Sequence, residues 1–280
     1  MSAVSPLTVL MSVRNGEPFI EEAVRSILDQ TYGDFEFLVL DNASTDRSRE
    51  IINSLDDSRI RLIALENDVG QTAALNLGLE QISSRYVARM DADDVSHPTR
   101  FEKQMGYLAK NETVALLGSW TRIIGSVGEH IVDRCPPTDS AEFQTEILFR
   151  NVFAHSSVIF SRETVESRGG YPLHARYAQD YALWLEIALS EHTAVIPEFL
   201  VSIRKHEGQV GRSGLSSERV RDPILLLEDI LARPDLPRHI RDLKRKVLAR
   251  ANLRYAAGLR EEGRLSRALV ELGRGLLLDA

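Results

Sequence analysis

The chain has 280 residues, 43% of them hydrophobic, which is enough for one sizeable buried core and a smaller appendage. A net charge of −7 and a pI near 5.6 speak against a general nucleic-acid binder. Cys135 is the single cysteine, so an internal disulfide is excluded and a reducing compartment is expected, and no Cys or His spacing suggests structural zinc.

The first apolar run, Leu7 to Val13, reads as a strand that ends in the turn residues Arg14, Asn15, Gly16 and Glu17. Together with Ser5 it is too short for a signal peptide and lacks a basic start, and no run approaches the ~20 apolar residues of a spanning helix. Pro18 suits the first turn of a helix, in which Phe19, Ile20, Ala23, Val24, Ile27 and Leu28 repeat at helical spacing. A second strand over Phe35 to Leu40 runs into the loop Asp41 to Thr45, and Ile51 and Ile52 mark the next helix. Ile60 to Leu65 is a third strand, Gln71 to Ile82 a helix, and Tyr86 to Met90 a fourth strand.

That fourth strand delivers Arg89, Met90, Asp91, Ala92, Asp93 and Asp94. Carboxylates one residue apart at a strand end can aim oxygens at one hard cation, which commonly bridges one or two carboxylates to substrate phosphates. Acidic residues before Ser96, His97 and Pro98 at a helix start can equally be caps. Strands alternating with helices predict a mainly parallel sheet covered on both faces, with ligands at the carboxyl ends of the strands. Arg14, Asp41 and Asp93 all fall at such ends, which points to a nucleotide site.

After Leu108 the alternation breaks down. Val114 to Trp120, Arg122 to Val127, Val158 to Ser161 and Val195 to Ile203 read as β segments, and Ala141 to Phe149 as a helix. From Ser213 the sequence turns Arg- and Leu-rich, punctuated by Pro223, Pro234 and Pro237. Residues 1–212 are therefore read as a catalytic unit, with a nucleotide half over 1–108 and an acceptor half over 109–212, and 213–280 as a helical appendage. In the appendage Ile240, Leu243, Val247, Ala251 and Tyr255 form one apolar stripe, and Leu265, Ala268, Leu269, Leu272 and Leu276 another. Two helices hinged near Gly263 make an αα-hairpin with a face for the catalytic unit, a second copy or a partner. The basic run Arg238, Arg241, Lys244, Arg245, Lys246, Arg250 and Arg254 is a solvated helix face or a contact with an anionic membrane surface.

Residues 7 to 212 resemble the family 2 glycosyltransferases of GT-A fold. The resemblance runs through Asn15-Gly16-Glu17, Ser26 to Tyr32, Asp41 to Asp46, Asn67 to Gly70 and Ala88 to Asp94. It continues through His155-Ser156-Ser157, Gly169-Gly170-Tyr171, Asp180 to Trp184 and Arg204 to Gly208, and it is the order and spacing of these short motifs that is specific. It implies inverting transfer of a sugar from a UDP-, dTDP- or GDP-sugar to a carbohydrate or lipid-linked acceptor, in the synthesis of polysaccharide, glycolipid or another glycoconjugate.

By the same resemblance, Asp93 and His206 hold Mn²⁺ or Mg²⁺, which neutralises charge on the departing diphosphate. Ser12, Arg14, Asn15, Asp41, Asn42, Asn76, Arg89, Asp91 and Ala92 face the nucleotide sugar, with a strand-end ion pair as the other reading of Arg89. Asp180, by residue type alone a helix N-cap, is the general base, with His155, Gln179 and Trp184 on the acceptor side, although Trp184 also reads as core and His155 as a hydrogen-bonded core histidine. Such an enzyme is expected in the cytoplasm or at the inner face of the membrane, without nucleic acid, and paired with a copy or partner through its last helices.

Two positions depart from the family pattern. Gln179 stands where Glu usually precedes the base, and Asn42 where a second Asp usually accepts a hydrogen bond from the nucleotide base. An amide can accept from an imide N–H and also donate, and Arg14, in the place of an aromatic, can stack or pair with phosphate. Three other readings compete. Asp91 to Val95 fits the nucleophile motif of haloacid-dehalogenase-like phosphatases, but on the fourth strand rather than the first. A sugar nucleotidyltransferase lacks its Gly-rich basic loop after the first strand, and Gln179 with Asn42 motivates a sugar-nucleotide-binding scaffold without turnover.

Overall fold

A computed structural model of the chain describes residues 5–175, 177–209 and 217–279. The first apolar run forms β1 (Leu7–Val13), in which Leu7, Val9 and Met11 join the core on one side of the sheet and Leu10 the core on the other. Burial on both faces is what a parallel strand between helical layers requires, and it explains an apolar run with no polar alternation. β2 (Phe35–Asp41) and β4 (Tyr86–Arg89) flank β1 in parallel, and β3 (Ile60–Ala64) continues beyond β2. The connections are α1 (Ile20–Leu28), α2 (Ser48–Ser54) and α3 (Gln71–Leu79). α1 buries Ile20, Ala23, Val24 and Ile27, an apolar stripe at helical spacing.

Past β4 come β5 (Val95–Ser96), α4 (Arg100–Leu108), β6 (Val114–Ile124), β7 (His130–Arg134), α5 (Ser140–Phe149) and a single 3-10 turn, His155–Ser157. β8 (Ile159–Ser161), α6 (Arg162–Glu166), α7 (Gln179–Ser190) and β9 (His192–Arg204) complete the sheet, whose order is β3-β2-β1-β4-β8-β6-β9-β5, with β7 on β6. β8 lies antiparallel to both β4 and β6, whereas β6 and β9 run parallel.

The two strands expected over 114–127 are one, β6, ending at Ile124. Register shifts around Ser119–Thr121 let β9 follow it without a break, and buried Thr121 sits where polarity suggested an end. β7 was not foreseen, because all five of its residues are exposed and it lacks an apolar face. The turn before it closes through Gly128 at φ +89°, where a side chain would be strained.

The expected boundary between 212 and 213 falls outside the described residues. Beyond it lie α8 (Ser217–Leu231), α9 (Arg238–Asp242), α10 (Lys244–Glu261) and α11 (Leu265–Asp279). Ile240, Val247, Ala251 and Tyr255 are buried in the same apolar cluster as Leu10, Leu75 and Trp184, so the appendage shares the catalytic unit's core. The second stripe behaves otherwise: Ala268 is buried, while Leu265, Leu269, Leu272 and Leu276 of α11 remain exposed. Among the described residues no helix is long and apolar enough to cross a membrane.

Candidate active site

β1, β2 and β4 end on the same edge of the sheet, and the turn after β4 is held there by buried cations. Arg89 is fully buried: Nε donates to Nε2 of His155 (3.0 Å), Nη1 to the carbonyls of Leu10 (2.6 Å) and Met90, and Nη2 to the carboxylate of Asp91. Arg100, also fully buried, donates from Nη2 to the carbonyls of Arg89 (3.0 Å) and Val158 (3.1 Å) and from Nε to Gln104 (2.9 Å). Burial, then repulsion from Arg89, brings its pKa down to about 9, and Asp94 works against that fall. Arg204 donates through Nε to the carbonyl of Asp93 (3.0 Å) and through Nη2 to Glu22 (2.6 Å), while its backbone N–H meets Asp94 (2.9 Å). Three guanidinium groups thus fix the main chain of the turn that carries three carboxylates.

The three acids have different environments. For Asp91, burial opposes ionisation, but Arg89, His155 and Ser156 outweigh it and the pKa lies below the usual value. Asp94 is buried and accepts from Ser156 Oγ (2.5 Å); burial, then Asp93 and Asp91, push its pKa well up, and its part is to anchor the turn. Asp93 keeps 23% of its side chain exposed, and burial followed by the charge of Asp91 raises its pKa. Its Oδ2 lies 3.0 Å from Nε2 of His206, whose ring rests on Phe19 at 4.6 Å between centroids.

A carboxylate crowded by another carboxylate, with an imidazole beside it, is a donor pair that suits Mn²⁺ and also fits Mg²⁺. Among the described residues no third His, Cys, Asp or Glu joins them, so a cation held here needs oxygens from a ligand. That is the usual arrangement where phosphates complete the shell.

Asp180 lies in the first turn of α7, where the helix end favours its ionised form. Its Oδ1 accepts from the N–H of Tyr181 (2.7 Å) and its Oδ2 from Nδ2 of Asn151 (2.8 Å). Burial dominates these bonds and lifts the pKa to about 6, with Asp91 adding a smaller upward push. Asp180 and Asp91 therefore feel each other's charge, and the Tyr171 hydroxyl, 2.9 Å from Nε2 of His155, feels Arg89, Asp180 and Asp91 together. Asp180 also lines a cleft of about 380 Å³ bounded by α5, α7, α8 and α10. Asn151, which lines the cleft, and Gln179, the residue before Asp180, each have a buried side-chain oxygen, Oδ1 and Oε1, without a protein hydrogen-bond partner. Each such atom costs ~1–3 kcal/mol unless something else satisfies it, so their gathering next to Asp180 marks a place for a polar ligand.

Other residues singled out from sequence take different parts. Arg89 is a buried strut and does not reach outward to a diphosphate, because its donors are engaged inside the fold. His155 is a hydrogen-bonded core histidine rather than a wall of the acceptor pocket: Arg89 and the Tyr171 hydroxyl (2.9 Å) meet its Nε2, and burial, then Arg89, hold its pKa down at about 3. Trp184 is fully buried among Phe160, His155 and Tyr171.

Asn76 clamps the backbone of Tyr171 with both ends of its amide, each bond 2.8 Å, instead of facing a nucleotide. Asn42 donates to Asp68 (2.7 Å) and accepts from the N–H of Val69 (3.0 Å), so it ties the loop before α3. Asp41 is buried against Arg49 (2.6 Å) and caps the N–H of Ser44 (3.1 Å). Asn15, at φ +54°, staples the two loops by accepting from Thr45 N–H (2.8 Å). Arg14 pairs with Asp68 at 2.5 Å on the surface, Ser12 is buried in β1, and half-buried Ala92 lies below Gly16. Gln179 touches Gln71 at 3.4 Å.

Sequence reasoning overlooked Arg100 and Asn151, and it gave Arg204, Ser156 and Asp68 no role beyond membership of the resemblance motifs. Only Arg100 left a local signal: with Gln104 and Leu108 it recurs every fourth residue on the buried face of α4.

Three curated relatives, each 31% identical to the chain, are spanned by it over 66, 84 and 78% of their own lengths. One is the O-antigen biosynthesis glycosyltransferase WbnJ of Escherichia coli, matched over 220 residues, 75% of this chain. Among solved structures, TarS of S. aureus in complex with UDP-GlcNAc superposes with a TM-score of 0.75 at 18% identity, covering 97% of this chain and 81% of that one. The mannosyltransferase PcManGT from Pyrobaculum calidifontis, in complex with GDP-Man and Mn²⁺, gives 0.64 at 20% identity over 99% of this chain and 81% of that one. These two show a shared glycosyltransferase fold. The description of glycosyl transferase family 2 matches residues 8–166, more than half of the chain, and the protein belongs to that family.

Proposed function

We propose that the protein moves a sugar from a nucleoside-diphosphate donor to an acceptor hydroxyl with inversion at the anomeric carbon, Asp180 serving as general base. The observation that carries this reading is the run of contacts from the acid turn to α7, Asp91 to Arg89, Arg89 to His155 and His155 to Trp184 one turn from Asp180, with a ligand-sized cleft on the Asp180 side. Inversion needs one base on the face opposite the leaving group, and a carboxylate lifted to about 6 by burial is a stronger base than an ordinary one while still largely ionised at neutral pH. Asn151 and the Tyr181 N–H aim the carboxylate, and the apolar cleft walls keep bulk water from competing with the acceptor.

At the donor end, Arg14 and the loops stapled by Asn15, Asp41 and Asn42 face the nucleotide. Asp93 and His206 would hold a divalent cation, which when bound supplies positive charge to the departing diphosphate. The fold neighbours with UDP-GlcNAc, and with GDP-Man and Mn²⁺, support a nucleotide-sugar donor and a cation. An O-antigen biosynthesis glycosyltransferase among the relatives supports a place in polysaccharide assembly. A phosphatase using Asp91 as nucleophile is disfavoured, because Asp91 is paired with buried Arg89.

Two measurements test the reading. Transfer should rise with pH along a limb centred near 6 in the kcat/KM profile, because protonation of Asp180 below that value removes the base; a profile flat across it excludes Asp180. Asp93→Asn should reduce Mn²⁺-dependent binding of a nucleoside diphosphate, read by calorimetry, to the level seen with chelator. Changes around a metal's own ligands already cost ~10- to 100-fold in affinity, and loss of a direct ligand should be no smaller. Equal affinity of the unmodified protein with and without chelator overturns the cation assignment.

A further inference from the structure

α10 of the appendage reaches the base through the end of α5. Phe149 is the last residue of α5, and its carbonyl is one of the four at a helix end that have no partner within the helix. Nη1 of Arg254 donates to it (2.5 Å), and Arg250, one turn earlier on α10, lies over the ring of the same residue at 5.8 Å. Two side chains of the appendage thus hold the final residue of a helix in the catalytic unit. Arg150 follows with an extended backbone, φ −163° and ψ 154°, and Asn151 comes next. Among the described residues the Asn151 side chain makes one hydrogen bond, from Nδ2 to Oδ2 of Asp180 (2.8 Å), and its Oδ1 makes none. Only Arg150 separates the gripped residue from the one that holds the carboxylate.

The grip forms against the mutual repulsion of its cations. Burial, then Arg250 and Arg150, pull the pKa of Arg254 down. Arg150 has Glu146 as a partner, whereas among the described residues no carboxylate pairs with Arg250 or Arg254. What draws them together is the negative end of α5, where cations are favoured and free carbonyls need donors. Packing of α10 does not require this, because Val247, Ala251 and Tyr255 already bury it in the core. The cationic grip adds a fixed position for the end of α5, which is where Asn151 departs.

Resting on Asp180 as the base, we infer that Arg254 is a positioning residue: by gripping the end of α5 it sets Asn151, and through Asn151 the carboxylate of Asp180. The appendage is thereby a working part of the catalytic unit, and the aim of the base depends on a helix that supplies no group to the reaction.

The test is the titration of Asp180 in the full chain, read from carboxyl ¹³C signals of aspartate-labelled protein, with the Asp180 signal identified by its loss in Asp180→Asn. The charged and titratable groups around Asp180 are Asp91, Tyr171 and Tyr181, with Arg150, Tyr177 and Arg254 along the cleft. The midpoint, near 6 in the unmodified chain, should rise by ~1 pH unit or more in Asn151→Leu, because the hydrogen bond removed favours the ionised form. Arg254→Met, a change at an exposed side chain, should move the midpoint the same way, and Arg254→Lys, whose ammonium can still reach the carbonyl, should move it less. In Asn151→Leu the same Arg254→Met change should add nothing, since the link is already cut, and a double-mutant cycle measures this. Arg250→Met removes a neighbouring cation but not the carbonyl bond, and should leave the midpoint where it was.

An unmoved midpoint in Asn151→Leu or in Arg254→Met overturns the proposal. So do shifts that simply add in the double variant, or an equal shift in Arg250→Met, because either means that charge acts on Asp180 directly. The base assignment is tested apart from this. Where the midpoint moves, the limb of the kcat/KM profile should move with it; a limb that stays fixed removes Asp180 as the base, while the link from α10 stands on the titration.

Discussion

Replacing Asp180 by Asn will reduce glycosyl transfer by ~10²- to 10⁴-fold, the contribution of a positioned general base, and leave donor affinity as it was. The substitution removes the basic lone pairs while keeping the shape. Stability should change little, for a local reason. The Asp180 carboxylate accepts from Tyr181 N–H with one oxygen and from Asn151 Nδ2 with the other, and an amide can keep only the first. Asn151 can turn over to present Oδ1, which has no protein partner, to the new amide N–H. Single-turnover rates together with donor affinity check this, and transfer within a few-fold of the unmodified protein eliminates Asp180 as the base.

The largest loss of stability should follow Arg89→Met. The substitution leaves Asp91 partly buried without its cation and takes donors from the carbonyls of Leu10 and Met90 and from His155. Breaking a buried ion pair from one side typically costs ~3–5 kcal/mol, because a charge is stranded rather than merely separated. Adding Asp91→Asn to Arg89→Met should recover much of that loss, since the stranded charge is then gone, and a double-mutant cycle by urea unfolding measures the coupling. A single variant within ~0.5 kcal/mol of the unmodified protein, the range of ordinary surface changes, refutes the structural role of Arg89.

Much of the fold was legible because its first half is a regular alternation. Leu7 to Val13 has no polar interruption, as a strand covered on both faces must, and Ile20, Ala23, Val24 and Ile27 repeat as a helix packed on one side must. The second half obeys no such local rule. β6 runs through Thr121 only because β9 shifts register beside it, and nothing within eleven residues of sequence records a partner some eighty residues away. The same limit applied to the site. The acids after β4 could be placed at the sheet edge from sequence, but the cations beneath them could not. Arginine is seldom fully buried, so Arg89 read as a side chain reaching a diphosphate or pairing at the strand end, and Arg204, which touches Asp93 across 111 residues of sequence, read as part of a loop motif. Asn42 and Asn76 show the complementary limit: their residue type fits ligand contact, but in the fold their amides hold backbone and neighbouring loops.

The depth at which the two sets of arginines sit gives the molecule an uneven response to ionic strength. Arg89, Arg100 and Arg204 are within the protein, where dissolved ions screen weakly, whereas Arg150, Arg250 and Arg254 border solvent, where at ~0.15 M salt the screening length is only ~8 Å. Added potassium chloride should therefore weaken the charge interactions of Arg150, Arg250 and Arg254 while the geometry of the acid turn persists, so a salt titration can separate the two sets of arginines without altering a residue.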